Sequence, residues 1–543
     1  MNKTRQSEIA IQSSLVQALV DSLSNHSAVK SVRLVETHIS WVLLTGHYAY
    51  KIKKAIDLGF LDFSSLEARH YYCAEEIRLN RRLAPKIYLD VIAIGGSAEK
   101  PLLGAQVAIE YAVRMRRFAV SKQLDRLATL NKILPRHIDS LALTIAHFHQ
   151  NLPAADAHAT FGSADVIGLD AKQNFEQLLV LLKEPHDLKI LAALRRASDN
   201  EYAACRNLFW QRLAQGFVRE CHGDLHLGNI VLICEQPTPF DCIEFNPALR
   251  WIDVMSEVAF TVMDLLHHQR KALAYRFLNA YLETTGDYAG IALLRFYIAY
   301  RALVRAKVSA IRATQAGLSK VAMSQAWADC RGYLALAADC FTHKQAALII
   351  THGLPGSGKT TFAQNALERF QAIRLRSDVE RKRLFGLSPL ADSRASAGVD
   401  LYGADVSQRT YAHLHELARQ MLQAGYTVIV DAAFLQQAER GHFSQLAKEL
   451  NVPFAIASMQ ASQETLKARI MQRQQAANDA SEADIAVMEK LALAQQALSP
   501  KEKVIAANFG NKNSAIAADS AGWNSLYRLL SREHVGLEGN RDQ

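Results

Sequence analysis

Residues 346–370 read AALIITHGLPGSGKTTFAQNALERF. The first seven are an apolar run of strand length, residues 353–360 fit GxxxxGK followed by Ser or Thr, and the last ten carry apolar residues at helical spacing. A strand entering a glycine-rich loop that leaves as a helix is the arrangement that phosphate binding requires. Gly353, Gly356 and Gly358 allow backbone N–H groups to wrap a phosphate, and the helix N-terminus adds positive potential. The pattern assigns Lys359 to the β/γ-phosphates and the Thr360 hydroxyl to Mg²⁺, with Ser357 and Thr361 in the same nucleotide-binding loop.

Downstream, IRLRS (373–377), YTVIV (426–430) and PFAIASM (453–459) read as strands, and 408–424 and 437–450 as helices. Strands alternating with helices predict an α/β P-loop NTPase domain with a mainly parallel sheet over 343–543. Asp431 ends YTVIV, where a second acidic group can hold Mg²⁺. Asp378 follows the strand IRLR, the first after the phosphate loop, at the sheet edge where ligands bind, and can accept a proton from a substrate hydroxyl; capping a helix at 379–384 is its alternative role. Arg469 and Arg473 share one helix face. One of them, assigned here as Arg473, can offset the charge of a transferring phosphoryl group, and a solvated helix face is the alternative. The polar stretch QQAANDASEAD (474–484) reads as a mobile lid, and Arg381-Lys382-Arg383 as a solvated face. These residues resemble the P-loop kinases of the polynucleotide kinase, zeta toxin and gluconate kinase group, over about 346–510. The resemblance implies phosphoryl transfer from ATP (or GTP) to a hydroxyl, with Asp378 as the base.

A second constellation lies upstream. Residues 222–229 read HGDLHLGN, and Asp241 follows in PFDCIEF. Kinase-type phosphoryl transfer needs a carboxylate to orient the acceptor, here Asp224, and an amide and a second carboxylate for Mg²⁺, here Asn229 and Asp241. A zinc reading of His222 and His226 fails, because no Glu follows His222 and Gly223 disfavours a helix. The strand YAYK ends in Lys51, suited to the α/β-phosphates, and Glu76 in a helix over 65–83 would pair with it; Lys53 and Glu75 are the substitutes. Together these residues are similar to the aminoglycoside phosphotransferase-like kinases over about 30–340, and the order of both halves resembles bacterial bifunctional aminoglycoside phosphotransferase/ATP-binding proteins. The resemblance implies an α+β bilobal protein-kinase-like domain over 1–342, with a small lobe at about 30–115 and a helical lobe at about 116–342. The strand pair before Lys51 has only Gly46 and lacks GxGxxG, so its cover for the phosphates differs from that of protein kinases, and Ser256-Glu257 reads as a packing segment.

Composition is ordinary for a soluble globular protein with ample core, and excludes a disordered or collagen-like chain: 543 residues, 50% hydrophobic and 21% charged. The seven cysteines lack metal-ligand spacing and are expected as reduced, buried thiols of a cytoplasmic protein. No run is long enough to cross a membrane. The net charge of +9 is spread along the chain, with 23 Lys/Arg against 20 Asp/Glu in 343–543, so a nucleic-acid partner is disfavoured, and a small-molecule hydroxyl acceptor is expected for each domain. Two rival readings are a regulatory ATP-binding or ATPase role for the second domain and a nucleic-acid-end kinase. The acceptors and the oligomeric state are not legible.

Overall fold

The structure, a computed structural model, describes residues 3–25, 32–59, 61–342, 345–389, 391, 403–476, 480–510 and 520–531. Its contacts divide the chain into two compact units, 1–269 with 296–338, and 270–295 with 339–543.

In the first unit, β1 (Arg33–Glu36), β2 (Ser40–Leu44), β3 (Tyr48–Lys53), β4 (Tyr88–Gly96), β5 (Pro101–Leu103) and β6 (Glu110–Arg116) form an antiparallel sheet ordered β1-β2-β3-β6-β4-β5. Side chains alternate across it. Trp41, Leu43, Tyr50 and Ile52 pack with Leu15, Val16 and Leu19 of the helix Lys3–Ser24. On the other face, Val113 and Tyr88 pack with Cys73 and Ile77 of the helix Leu66–Asn80, which starts where the Ser65 hydroxyl accepts the Ala68 N–H. The same alternation turns Lys51 and Lys53 toward that helix.

The rest of this unit is mainly helical: Pro135–Asn151, Ala164–Leu181, Pro185–Ala214 and Val254–His267, with the greater part of Ile291–Ala313 and Lys320–Phe341. This part also holds two small antiparallel pairs. β7 (Val218–Glu220) pairs with β10 (Trp251–Asp253), and β8 (Ile230–Ile233) pairs with β9 (Gln236–Pro239). A small antiparallel lobe followed by a helical lobe is the protein-kinase-like architecture.

The second unit is the α/β P-loop fold. β11 (Leu348–His352), β12 (Ile373–Arg376), β13 (Val428–Asp431), β14 (Phe454–Gln460) and β15 (Ala506–Gly510) make a parallel sheet ordered β12-β13-β11-β14-β15. Its core packs Phe362, Ala363 and Ala366 of the helix Lys359–Phe370 on Ile349, Ala457 and Phe509, with Trp523 of the helix Ser520–Leu530 stacked on Phe362. Neither β15 nor the Ser520–Leu530 helix is among the elements read from the sequence.

The helix Lys271–Thr285 groups with this second unit, whereas the division at 342/343 assigns it to the first. Its Asn279 amide serves the edge strand β12: Nδ2 donates to the Ala372 carbonyl at 2.9 Å and Oδ1 accepts the Arg374 N–H at 2.6 Å. Edge backbone groups left bare would template further pairing. Glu283 then accepts from Arg374 Nε at 2.7 Å, and Arg276 pairs with Glu368 at 2.8 Å.

Five cysteines are buried, but Cys234 is exposed and Cys340 half-buried, so the expectation of seven buried thiols is corrected at those two positions. Among the described residues no helix is long and apolar enough to cross a membrane.

Candidate active sites

In the first unit the loop 222–229 is held by one helix. Val254–His267 reads VMSEVAFTVMDLLH, and its Glu257, Thr261 and Asp264 lie at i, i+4 and i+7, all buried. Glu257 accepts the backbone N–H groups of His222 at 2.9 Å and Gly223 at 2.6 Å, and His149 Nε2 lies 3.2 Å from it. Thr261 donates to the Leu225 carbonyl at 2.8 Å, and Asp264 accepts the Leu227 N–H at 2.8 Å. Burial pushes the Glu257 carboxyl up, but the His149 and His222 contacts outweigh it and hold it at about 2. Gly223 has φ +89°, and a Cβ there would meet the Leu249 carbonyl oxygen at 2.8 Å. Ser256-Glu257 is therefore more than packing, since Glu257 anchors the loop. Three polar residues on one stripe of an apolar helix were the signal that could have revealed it.

The loop presents Asp224 a third exposed. Asn229 Nδ2 donates to Asp224 Oδ2 at 2.9 Å, which turns the amide oxygen of Asn229 away from that carboxylate. His226 accepts the Gly228 N–H on Nδ1 and presents Nε2 to Asp224 at 3.4 Å. Burial raises the Asp224 carboxyl, yet His226, Arg305 and His222 together hold it well below the usual carboxylate range. The His222 ring is engaged on both sides, by the Asp224 N–H on Nδ1 and the Phe240 carbonyl on Nε2. The Asn229 carbonyl accepts the Phe240 N–H at 2.9 Å, which continues the β8–β9 ladder and leaves Asp241 one residue beyond Asn229's partner. Asp241 is 45% exposed and has φ +64°. An amide and a carboxylate adjoining across a hairpin are oxygen donors suited to Mg²⁺.

Lys51 lies 2.9 Å from Glu76 and 2.7 Å from Asp241. Lys53 is also bonded to Glu76, at 2.7 Å, and reaches Glu244, so Glu76 is shared by both lysines. Glu75 pairs with Arg78 at 2.8 Å and takes no part in this cluster. Between β2 and β3, Thr45 donates to the Tyr48 carbonyl at 2.9 Å, and Gly46 has open space around it.

In the second unit a cavity of about 300 Å³ is lined by Lys359, Thr360, Asp378, Asp431, Arg469 and Arg473, among others. The loop glycines are dictated by close approach as well as by φ. A Cβ on Gly353 (φ +145°) would meet the Met459 carbonyl oxygen at 2.8 Å, and one on Gly356 (φ +80°) the Leu466 carbonyl oxygen at 2.9 Å. Lys359 Nζ donates to the Leu354 carbonyl at 3.0 Å; burial pulls its pKa down against Asp431 and Asp378. Ser357 is buried, and Thr361 lies on the cavity wall. Asp431 ends β13 opposite Arg376. Its Oδ2 is buried without a hydrogen-bond partner, and burial raises its carboxyl above the ordinary value despite Arg376, Arg374 and Lys359. A buried, unsatisfied carboxylate oxygen beside the Thr360 hydroxyl fits a Mg²⁺ position.

Asp378 sits in the first turn of the helix Ser377–Leu384, whose N-cap is Arg376, so it is not the cap of a helix beginning at 379. It accepts from Arg381 at 2.8 Å, and Arg381 with Ser481, Arg376 and Lys359 outweighs burial to lower its pKa. Arg381 and Lys382 are buried, the latter bonded to Glu482 at 2.7 Å, and Arg383 bonds Glu380 at 3.1 Å. The solvated face expected there is a set of ion pairs: Arg381 with Asp378 and Arg383 with Glu380, each three residues apart on the same helix, and Lys382 with Glu482 from outside it. Arg473 donates to the Ala483 carbonyl at 2.5 Å, and Arg469 to the Gly356 carbonyl at 3.4 Å. The stretch expected as a lid is therefore tied down at 480–484, with Ala480 and Ala483 buried, while its residues 477–479 lie outside the described residues.

A protein-kinase-like unit and a P-loop unit define a chain of two kinase-type folds. A family model described as an AAA domain matches residues 348–498. The chain is 30% identical over 453 residues, 82% of its length and 87% of the relative's, to an uncharacterized protein of Mycobacterium tuberculosis, and it belongs to that protein's family. Among solved structures, a choline/ethanolamine kinase family protein from Mesorhizobium loti aligns with a TM-score of 0.35 and 12% identity, covering 60% of this chain and 99% of its own. A gluconokinase from Sinorhizobium meliloti aligns with a TM-score of 0.26 and 16% identity, covering 34% and 95%.

Proposed function

We propose that the chain is an ATP-dependent phosphotransferase with two nucleotide sites, each passing the γ-phosphate to a hydroxyl of a small-molecule acceptor. The observation that carries this reading is that each unit gathers a lysine, a pair of oxygen donors suited to Mg²⁺ and a further carboxylate: Lys51, Asn229/Asp241 and Asp224 in one, Lys359, Thr360/Asp431 and Asp378 in the other. These are the groups that in-line phosphoryl transfer uses.

Mg²⁺, when bound, supplies charge neutralisation on the phosphate oxygens. Lys51 and Lys359 hold the phosphate tail, the latter with the N-terminus of its helix. Asp224 is kept ionised by His226 and Arg305, and Asp378 by Arg381. A carboxylate of such low basicity acts by accepting the hydrogen bond of the acceptor hydroxyl and aiming its oxygen at the γ-phosphorus; as that O–P bond forms, the bond from the γ-phosphorus to the β,γ-bridging oxygen breaks, ADP leaves carrying the bridging oxygen, and the hydroxyl proton passes through the carboxylate to solvent. Arg473 lies where it can meet charge on the transferring group.

The test uses the full chain with labelled ATP, Mg²⁺ and a metabolite pool. Asp224→Ala should remove one set of labelled products and Lys359→Ala the other, each by about 10²–10⁴-fold, with the remaining set spared. Full turnover of every product by both single variants would refute the assignment.

A further inference from the structure

β3 carries two lysines two residues apart on one face, and only one of them is within reach of a ligand. Lys51 is 12% and Asp241 45% exposed, whereas Lys53 and Glu244 are 1% and 4% exposed and Glu76 is fully buried. The lysines divide Glu76 between them. Oε1 accepts from Lys51 at 2.9 Å, and Oε2 accepts from Lys53 at 2.7 Å. Beyond them, Lys51 reaches Asp241 at 2.7 Å and Lys53 reaches Glu244. Asp241, Lys51, Glu76, Lys53 and Glu244 thus form one unbroken series of alternating charge, open to solvent at Asp241 and closed at Glu244. The Lys53 ammonium also lies 5.0 Å from the centre of the Phe63 ring.

A buried carboxylate that loses its only cation is strongly penalised. Held by Lys51 alone, Glu76 would resist any movement of that ammonium toward a phosphate. With Lys53 on its second oxygen, Glu76 keeps a partner throughout. An ammonium has three donors. Lys51 can leave one on Glu76 and transfer the one now spent on Asp241 to a phosphate oxygen. Resting on the nucleotide reading of the first unit, we propose that Lys53 and Glu244 are positioning residues that hold Glu76 independently of Lys51. Lys51 can then exchange Asp241 for a triphosphate oxygen without the buried carboxylate losing its ion pair.

The test is made on the full chain carrying Lys359→Ala, which removes the phosphate-loop lysine of the second unit. This parent is titrated calorimetrically with Mg·AMP-PNP and followed by thermal unfolding. Outer partners that orient the ligands of a metal typically contribute about 10–100-fold to affinity, and Lys53 stands in the same relation to Lys51 and its phosphate. Lys53→Met should therefore weaken Mg·AMP-PNP by about tenfold or more, and Lys53→Arg should recover most of the loss. Lys53→Met/Glu244→Leu removes the buried pair together, so that no lone charge is left from it to unfold the chain. It should melt near the parent and still bind more weakly. Unchanged affinity in that folded double variant, with Lys51→Ala abolishing binding, would overturn the positioning role and leave the nucleotide reading standing. A parent that binds nothing, or a Lys51→Ala variant that binds like the parent, would instead overturn the nucleotide reading and the positioning role with it.

Discussion

Glu257 shows how much can hang on one side chain that touches no ligand. Two backbone N–H groups of the loop 222–229 end on its carboxylate, and neither has water as an alternative partner, because Glu257 and His222 are buried. Each buried donor left unsatisfied costs about 1–3 kcal/mol. Glu257→Ala should therefore destabilise the first unit by roughly 2–6 kcal/mol, a fall of about 3–9 °C in its melting transition. Asp224→Ala removes a partly exposed carboxylate and should melt near the parent. Calorimetric scans of both variants check this, and equal melting temperatures for Glu257→Ala and the parent would contradict the anchoring role. The residues proposed to face the phosphates stand out in the sequence because their chemistry is rare in such spacing. Glu257 was harder to read because the polar stripe of its helix marks a buried polar contact without saying which loop it meets.

His352 closes strand β11 and illustrates a titratable group set by the element that carries it. Its Nδ1 lies 3.1 Å from Ser458 Oγ on the neighbouring strand β14. Burial, followed by Arg440 and Lys359, pulls its pKa from 6.5 to about 4. The unfolded chain then binds the proton more readily than the folded one. The stability contribution is complete above about pH 6.5 and is lost as the pH falls toward 4. Denaturant midpoints of the second unit should fall over that window, and His352→Gln should flatten the decline. Identical slopes in the two proteins would show that other groups govern it. The helix Lys271–Thr285 is a second case. Its amphipathic pattern announces a helix but not which surface it covers, and Asn279 acquires its role only against the edge of β12.

For the chain as a whole, the second unit is discontinuous, since residues 270–295 belong to it although the P-loop pattern starts at 346. A fragment of residues 343–543 would leave buried Arg374 without Glu283 and bare the edge of β12. Such a fragment should unfold at lower temperature than the second unit in the full chain, and a synthetic peptide of residues 270–295 added in trans should raise its transition. A fragment as stable as the intact unit, and indifferent to the peptide, would refute this. Local pattern was enough to read the phosphate loop, the alternation of strands and helices after it, and the HGDLHLGN loop, because backbone conformation and phosphate chemistry there depend on neighbours in the chain. Whether Lys382 faces solvent, which unit owns the helix Lys271–Thr285, and how two lysines share Glu76 depended instead on partners some two dozen to a hundred residues away. Burial and ion pairing are properties of the assembled core, and spacing along the chain carries no record of them.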